Sequence, residues 1–529
     1  MKKDQIPIVI GITGHRIIPK SDESAIYASV KRTLGFIREQ CPHSELVLLD
    51  SLAEGGDLLC AKAANELQIP LIAALPFEKD LYENDFSDDA LLHFRSLCEY
   101  ASDCFVAPPT ESIPCANFKE YGYRQASIYV ATHAHVLLAL WDGETESDLK
   151  NGCGTAFAVD VALHGLAVSN DRTVIDGCGA VIQIVTPRIN PTNDPAGTVK
   201  EWMNRRSFEE LLSRTDEFNR LADSVDASEA DPILPEEDSS DPILDRMAKI
   251  HAKAETLSNH FAKRYRTVLM LLAAASTVLT LSFLLYDEAE LYWMILICGA
   301  MLLFAFFLRR IAARTASHRR YIEYRALEES VRAQSYLRYA GSSQEAFSLL
   351  SWSQRQETAW IYTALAVIGI GDLPSKKHTI LACWIRDQRS YHQQAEQRTK
   401  KRIRFSEGVV RTALWVSILL YCGTVVFELL FKTGTIWMID AVLYRTILKI
   451  LLGSISAATL FISGYYGKQS LSRKWSDHRK MERFFQRMEE RCVREGQTEE
   501  LLQLLAREEL SENGNWSSYQ RDNTPDFSL

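Results

Sequence analysis

The run RTVLMLLAAASTVLTLSFLLYDEAELYWMILICGAMLLFAFFLRR, residues 266–310, decides the architecture of this chain. It contains two apolar stretches, Thr267–Tyr286 and Leu291–Leu308, separated only by Asp287-Glu288-Ala289-Glu290. At 1.5 Å of rise per residue, a helix of about 18–20 residues crosses a hydrocarbon layer roughly 30 Å thick. Four polar residues are too few to build a domain, so the pair reads as a transmembrane hairpin. Neither stretch carries the polar face of a helix that lies on a soluble core. Lys263, Arg264 and Arg266 precede the hairpin, Arg309, Arg310 and Arg314 follow it, and its turn is acidic. The positive-inside bias therefore puts both ends in the cytoplasm.

Downstream the pattern recurs. Ser317–Arg338 is charged and periodic, as a cytoplasmic helix would be, and Ala359–Gly371 is apolar but too short to cross, so it belongs to a soluble helical layer. Lys400, Lys401, Arg402, Arg404 and Arg411 then lead into a third run, Thr412–Phe431. A fourth, near Ile450–Tyr466, ends at Lys468, Arg473 and Lys474 and is followed by the charged helix Asp477–Arg494. Between them, Ile436–Lys449 carries Asp440, Arg445 and Lys449. Either it is an interfacial helix, or the fourth span starts earlier and buries those charges in a bundle. Glu428, near the end of the third run, is a candidate pore-lining residue. An even number of spans with basic inner flanks leaves both termini inside.

The front of the chain reads differently. Ile8–Thr13, Leu46–Asp50, Leu71–Leu75, Cys104–Ala107, Val136–Trp141 and Val181–Thr186 are apolar runs of strand length. Segments of helical period alternate with them: Glu23–Glu39, Asp57–Leu67, Asp88–Tyr100, Phe118–His133 and Thr155–Leu166. Such alternation predicts an α/β fold whose doubly wound parallel sheet is covered on both faces, with ligands bound beyond the carboxyl ends of its strands. Asp223–Asp245, acidic and proline-containing, reads as a linker. The expected segments are 1–220, the linker 221–248, a hairpin with its cytoplasmic helix over 249–345, helical 346–405, and a second hairpin over 406–529.

Three loops at that predicted strand edge share a chemistry. The first is Gly11-Ile12-Thr13-Gly14-His15-Arg16, and the second is Ser51-Leu52-Ala53-Glu54-Gly55-Gly56-Asp57. The third comprises Asp142-Gly143 and then Gly152-Cys153-Gly154-Thr155. Glycines just before a helix let free N–H groups and the helix dipole meet an anion. Arg16 adds charge, and Glu54, Asp57 or Asp142 are placed to hold ribose hydroxyls. No P-loop motif and no G-x-G-x-x-G occurs. His133 and His135 lack further ligands nearby, so no metal is expected. The scattered cysteines (11 in all) have no metal-like spacing and suit a reducing compartment. A net charge of -9 argues against nucleic acid as a partner. Met1-Lys2-Lys3-Asp4-Gln5 opens without the long apolar stretch of a secretory leader.

The first 190 or so residues resemble the SLOG superfamily, the Rossmann-like fold of the DprA DNA-processing protein, the LOG cytokinin-activating hydrolases and the N-terminal regions of TRPM channels. The likeness rests on Gly11–Arg16, Ser51–Asp57, Ala74-Leu75-Pro76-Phe77, Tyr123-Arg124-Gln125-Ala126 with Tyr129, Leu138–Gly143 and Gly152–Thr155. It adds Pro76 and Tyr123 to the ligand-binding candidates. LOG hydrolases carry P-G-G-x-G-T-x-x-E, where this chain has Lys150, Asn151 and, for the glutamate, Ala158. Without that carboxylate the resemblance implies a sensor of a nucleotide or ADP-ribose-like molecule more than an enzyme. A membrane-tethered N-glycosidic hydrolase using Glu54, Asp57 or Asp142 is the alternative.

The membrane half resembles SLATT domains, which accompany SLOG sensors in nucleotide-signalling defence operons. The matching words are Arg325-Ala326-Leu327-Glu328, Arg332-Ala333-Gln334, Gly341, Trp384-Ile385-Arg386-Asp387-Gln388, Tyr391-His392 and Asn515-Trp516. Together the two resemblances imply a homo-oligomeric, four-span, pore-forming or membrane-disrupting effector of the bacterial inner membrane. A nucleotide-derived second messenger would gate it, with no catalytic residue and no further cofactor.

Overall fold

The computed structural model describes residues 4–109, 118–144, 152–168, 173–188, 192, 194–203, 208–228, 230, 232–235, 241–374, 377–433, 441–467 and 471–522. Among the described residues there are nine strands: β1 (Ile8–Gly14), β2 (Leu46–Asp50), β3 (Leu71–Leu75), β4 (Asp103–Val106), β5 (Val136–Trp141), β6 (Leu166–Val168), β7 (Thr173–Ile175), β8 (Ala180–Val185) and β9 (Val199–Met203). Seven of them form one sheet in the order β4-β3-β2-β1-β5-β8-β9, and β6 pairs with β7 apart from it. All pairings from β4 to β8 are parallel, as expected from strands that are apolar along their whole length.

The all-parallel expectation fails at one edge. β9 runs antiparallel to β8, with Ile182 opposite Glu201. Its sequence, VKEWM, holds two charges and gave no apolar run to read. The β6–β7 hairpin was missed because strands of three residues carry no measurable period.

Alternate residues of each strand serve opposite faces. Ile8, Ile10 and Ile12 enter a core with Ile26, Val30 and Leu34 of the helix Glu23–Gln40. Each such side chain contributes roughly 2 kcal/mol by leaving water. On the other face Gly11 meets Val130 of the helix Phe118–Thr132, where an added Cβ would lie 2.9 Å from the Val130 carbonyl oxygen. Gly11 is therefore required by packing inside β1.

The described residues cluster in two compact units that cut across the consecutive segments read from the sequence. The first comprises 1–257, 325–380 and 497–514, and the second 258–324, 381–496 and 515–529. Long-range polar contacts explain the first grouping. Arg332 binds Glu509, Asn513 Nδ2 donates to the Ala326 carbonyl at 3.2 Å, and Gln354 Nε2 donates to the Leu510 carbonyl at 2.6 Å. The apolar helix Ala359–Ile368 is buried at every position after Ala359 within this unit, in line with its short length.

The linker reading is corrected at its end, because a helix of 47 residues starts at Pro242. Asp241 accepts the Ile243 N–H at 2.8 Å, so Asp-Pro supplies an N-cap followed by proline at the first helical position. That signal stood in the sequence. The other Asp-Pro, at Asp231, lies outside the described residues.

Among the described residues, four helices are long and apolar enough to cross a membrane: Pro242–Glu288, Met294–Tyr339, Leu381–Lys432 and a segment Val442–Thr459. Only 6% to 22% of their apolar windows is buried, which in water would be an untenable exposed surface. The fourth begins earlier than Ile450, and its charges are paired. Arg445 binds both carboxylate oxygens of Glu428, at 2.6 and 2.7 Å, and Lys449 binds Glu288 at 2.8 Å. The earlier start is observed, but Arg445 and Lys449 are exposed rather than buried in a bundle, Asp440 lies outside the described residues, and Glu428, the pore-lining candidate, has Arg445 as its partner.

Candidate functional site

In the strand order β4-β3-β2-β1-β5-β8, the chain runs outward from β1 to β4 and then returns to lay β5 on the other side of β1. The loops that leave β1 and β5 therefore diverge to opposite sides, opening a crevice at the carboxyl edge between them.

Backbone contacts draw the first two glycine loops together. The Gly56 N–H donates to the His15 carbonyl at 2.9 Å. Gly14 and Gly56 touch so closely that a Cβ on either would lie 2.9 Å from the other's Cα. Gly55 has φ +99°, and a side chain there would run into the His15 and Arg16 carbonyl oxygens. These glycines are required by the packing of one loop on the other, whatever else they do. Gly55→Ala is expected to cost about 2–3 kcal/mol. A thermal melt showing an unchanged midpoint would contradict this origin for the glycine.

The side chains then form one network. Arg16 stacks on Tyr123, 4.9 Å from the ring centroid, and Tyr123 donates to Asp85, which also binds Lys119. Burial acts against the Arg16 charge, but Tyr123 and Asp85 outweigh it, so its pKa stands above the ordinary value. For Asp85, too, burial opposes ionisation and is overcome, here by Lys119 and Tyr123. Beside Tyr123, Arg124 donates to the Gly152 carbonyl at 2.8 Å and lies over the Phe157 ring at 4.4 Å. On the other side of Arg16, buried His15 meets Asp142. The Asp142 N–H donates to His15 Nε2 at 3.1 Å, and Asp142 Oδ1 lies 3.2 Å from the same nitrogen. Arg188 closes the line on Asp142 Oδ2 at 2.6 Å. Burial would raise the Asp142 pKa, and Arg188, the Glu144 N–H and His15 together hold it below the carboxylate norm.

Gly154 is the N-cap of the helix Thr155–His164, and Thr155 is buried in its first turn. Gly143 follows Asp142 with φ +94°. Thr13 lies within β1 opposite Ala139 of β5, and Ser51 follows β2 directly.

Two candidates are turned to other work. Glu54 accepts Ser87 Oγ at 2.6 Å and the Ser87 N–H at 3.2 Å, ahead of the helix Asp88–Tyr100. The Pro76 carbonyl abuts Gly122, which has no room for a Cβ. Asp57 is almost wholly buried and forms a pair with Asp50, which the sequence reading passed over as a strand end. Asp50 Oδ1 accepts the Leu52 N–H at 2.8 Å, and Asp57 Oδ2 accepts the Ala53 N–H at 3.3 Å. The remaining oxygens, Asp50 Oδ2 and Asp57 Oδ1, find no N–H or O–H donor among the described residues. A proton shared by the two carboxyl groups would supply that donor. Burial pushes Asp50 up to about 7, and burial with the neighbouring Asp50 charge raises Asp57 well above the ordinary carboxylate value.

Asp85, Lys119 and Arg188 also escaped the sequence reading, and Arg124 entered it only through the resemblance, since each lies far along the chain from the glycine loops it serves. The histidines have structural partners. His135 Nδ1 accepts the Val9 N–H at 3.2 Å, and His133 Nε2 lies 2.9 Å from Glu345. Among the described residues, no three His, Cys, Asp or Glu side chains gather as a metal site. No protein-family model matches the chain, and no curated protein matches it.

Proposed function

We propose that this protein is a membrane effector whose SLOG-type, Rossmann-like front region senses a nucleotide-derived second messenger, ADP-ribose-like or cyclic. The ligand would sit at the carboxyl edge between β1 and β5. The observation that carries this reading is the set of contacts Gly152–Arg124, Tyr123–Arg16 and His15–Asp142–Arg188, joined only through the chain neighbours Tyr123-Arg124 and His15-Arg16, which brings the first and third loops together. It brings three guanidinium groups, a helix N-terminus and an aromatic ring to one edge, a set suited to phosphates and a base. The four apolar helices are the SLATT-like output. They span the inner membrane of a bacterial cell with both termini cytoplasmic, assemble as a homo-oligomer, and open or disrupt the bilayer when ligand binds, in defence against phage.

Moving such an assembly from 1% to 99% open needs about 5.5 kcal/mol of differential binding, within reach of several phosphate contacts summed over subunits. The test is leakage of dye from liposomes holding the full chain, across a panel of ADP-ribose-type and cyclic nucleotides. One or more ligands should trigger release, and Arg16→Ala should shift the half-maximal concentration upward at least tenfold. Equal leakage with and without every ligand ends the gating proposal.

The hydrolase alternative has less support. Glu54 is bonded to Ser87, Asp142 to Arg188, and Asp57 is buried against Asp50. Incubation with the same nucleotides should release no free base.

A further inference from the structure

We infer that the third and fourth membrane helices hold one anionic phospholipid, its acyl chain in a groove between them and its phosphate on a basic cluster at the groove's end. The groove has a volume of about 530 Å³ and is bordered by Arg404, Gly408, Thr412 and Val416 on one helix and by Ile455 and Thr459 on the other. The first four recur every four residues, so they form a single stripe along the helix Asp387–Lys432. From Arg404 to Val416 the stripe is about 18 Å long at 1.5 Å per residue. A volume of about 530 Å³ over that length leaves a slot some 30 Å² in cross-section. A helix with its side chains occupies on the order of 80–110 Å², so the slot suits an alkyl chain better than a neighbouring helix.

Charge identifies the headgroup. Arg404 is the one cation bordering an otherwise uncharged groove. Lys401 and Lys400 lie three and four residues before it, on the same helical face and one turn further from the apolar run. All three are exposed, as is Arg402, and none has a carboxylate partner among the described residues. From Gln397 to Arg411 the only acid is Glu407. Such a cluster beside a span is placed to meet an anionic lipid surface. Here the adjoining slot gives one lipid a fixed seat. The inference needs the apolar helices to lie in a bilayer, and it is independent of the nucleotide reading.

Native mass spectrometry of the detergent-solubilised full chain, titrated with dioleoyl phosphatidylglycerol or dioleoyl phosphatidylcholine, tests it. The first tightly bound lipid should favour phosphatidylglycerol by at least fivefold. That preference should vanish in the triple variant Lys400→Ala, Lys401→Ala, Arg404→Ala and persist in Arg404→Lys. Gly408→Leu, which fills the slot and leaves the cations in place, should weaken binding of both lipids. Circular dichroism and gel filtration identify any variant that has lost its fold, and Arg404→Lys with Gly408→Leu decides the matter if the triple variant has. Equal binding of the two lipids by the parent overturns the inference. So does a phosphatidylglycerol preference that survives the triple variant, or a parent dimer that binds no lipid and comes apart in Gly408→Leu, which would assign the groove to a second copy.

Discussion

At pH 8 the Asp57→Asn variant should be more stable than the parent chain, while at pH 4 the two should unfold together. Asp50 and Asp57 both have folded-state pKa values raised above the ordinary 3.8, Asp50 to about 7, because burial disfavours their charges. The folded chain therefore holds protons that the unfolded chain releases. Stability from this source is complete below about pH 4 and declines as the pH rises through 7, since the unfolded state then binds fewer protons than the folded one. A rise from 3.8 to about 7 corresponds to roughly 4 kcal/mol as an upper bound. Asparagine keeps an oxygen for the Ala53 N–H and presents an N–H to Asp50 Oδ2, replacing the shared proton with one that does not titrate. His135 works in the opposite sense. Burial lowers it to about 3, so its contribution is lost as the pH falls from 6.5 toward 3. Comparing variant with parent at each pH cancels that term. Melting curves that stay parallel from pH 4 to 8 would show that the two carboxyl groups do not share a proton.

Arg332→Ala should be the most damaging single change among the charged residues of the first compact unit. Arg332 donates through Nε and Nη2 to Glu509 Oε1, at 3.1 and 2.6 Å, and also binds Glu329. Both glutamates are buried, at 8% and 4% exposure for Glu329 and Glu509. Removing the cation takes it from both glutamates, of which Glu329 keeps Arg325 at 2.9 Å, and breaking a buried pair in this way costs about 3–5 kcal/mol. For a unit of this size the melting midpoint should fall by roughly 4–7 °C. Adding Glu509→Gln to Arg332→Ala should recover part of the loss, because it removes one of the stranded charges. Loss of under 1 kcal/mol in the single variant, measured by chemical denaturation in detergent, would mean that water reaches the site and screens the pair.

The sequence reading was strongest where one period repeats over many residues. β2, β3 and β5 and the helix Asp88–Tyr100 have the expected bounds, because their apolar residues recur without interruption. The same reading failed on the edge strand β9, whose charges reflect solvent on one side, and on the three-residue strands of the β6–β7 hairpin. It also could not see the packing that requires Gly11. A glycine that relieves a helix crossing and a glycine that admits a ligand look identical in one dimension, and only the nearness of Val130 separates them.

Local composition alone thus determined that the front is a largely parallel α/β sheet and that four stretches are apolar enough to span a bilayer, since periodicity and run length depend only on near neighbours. Which residues act together was decided by the fold. Arg16 reaches Asp85 through Tyr123, Asp142 reaches Arg188, and Arg332 reaches Glu509 across intervals that no spacing rule anticipates. The physical reason is that ion pairs and buried carboxyls depend on distance in space and on the loss of water, and both are set only once the sheet has closed and the distant helices have packed.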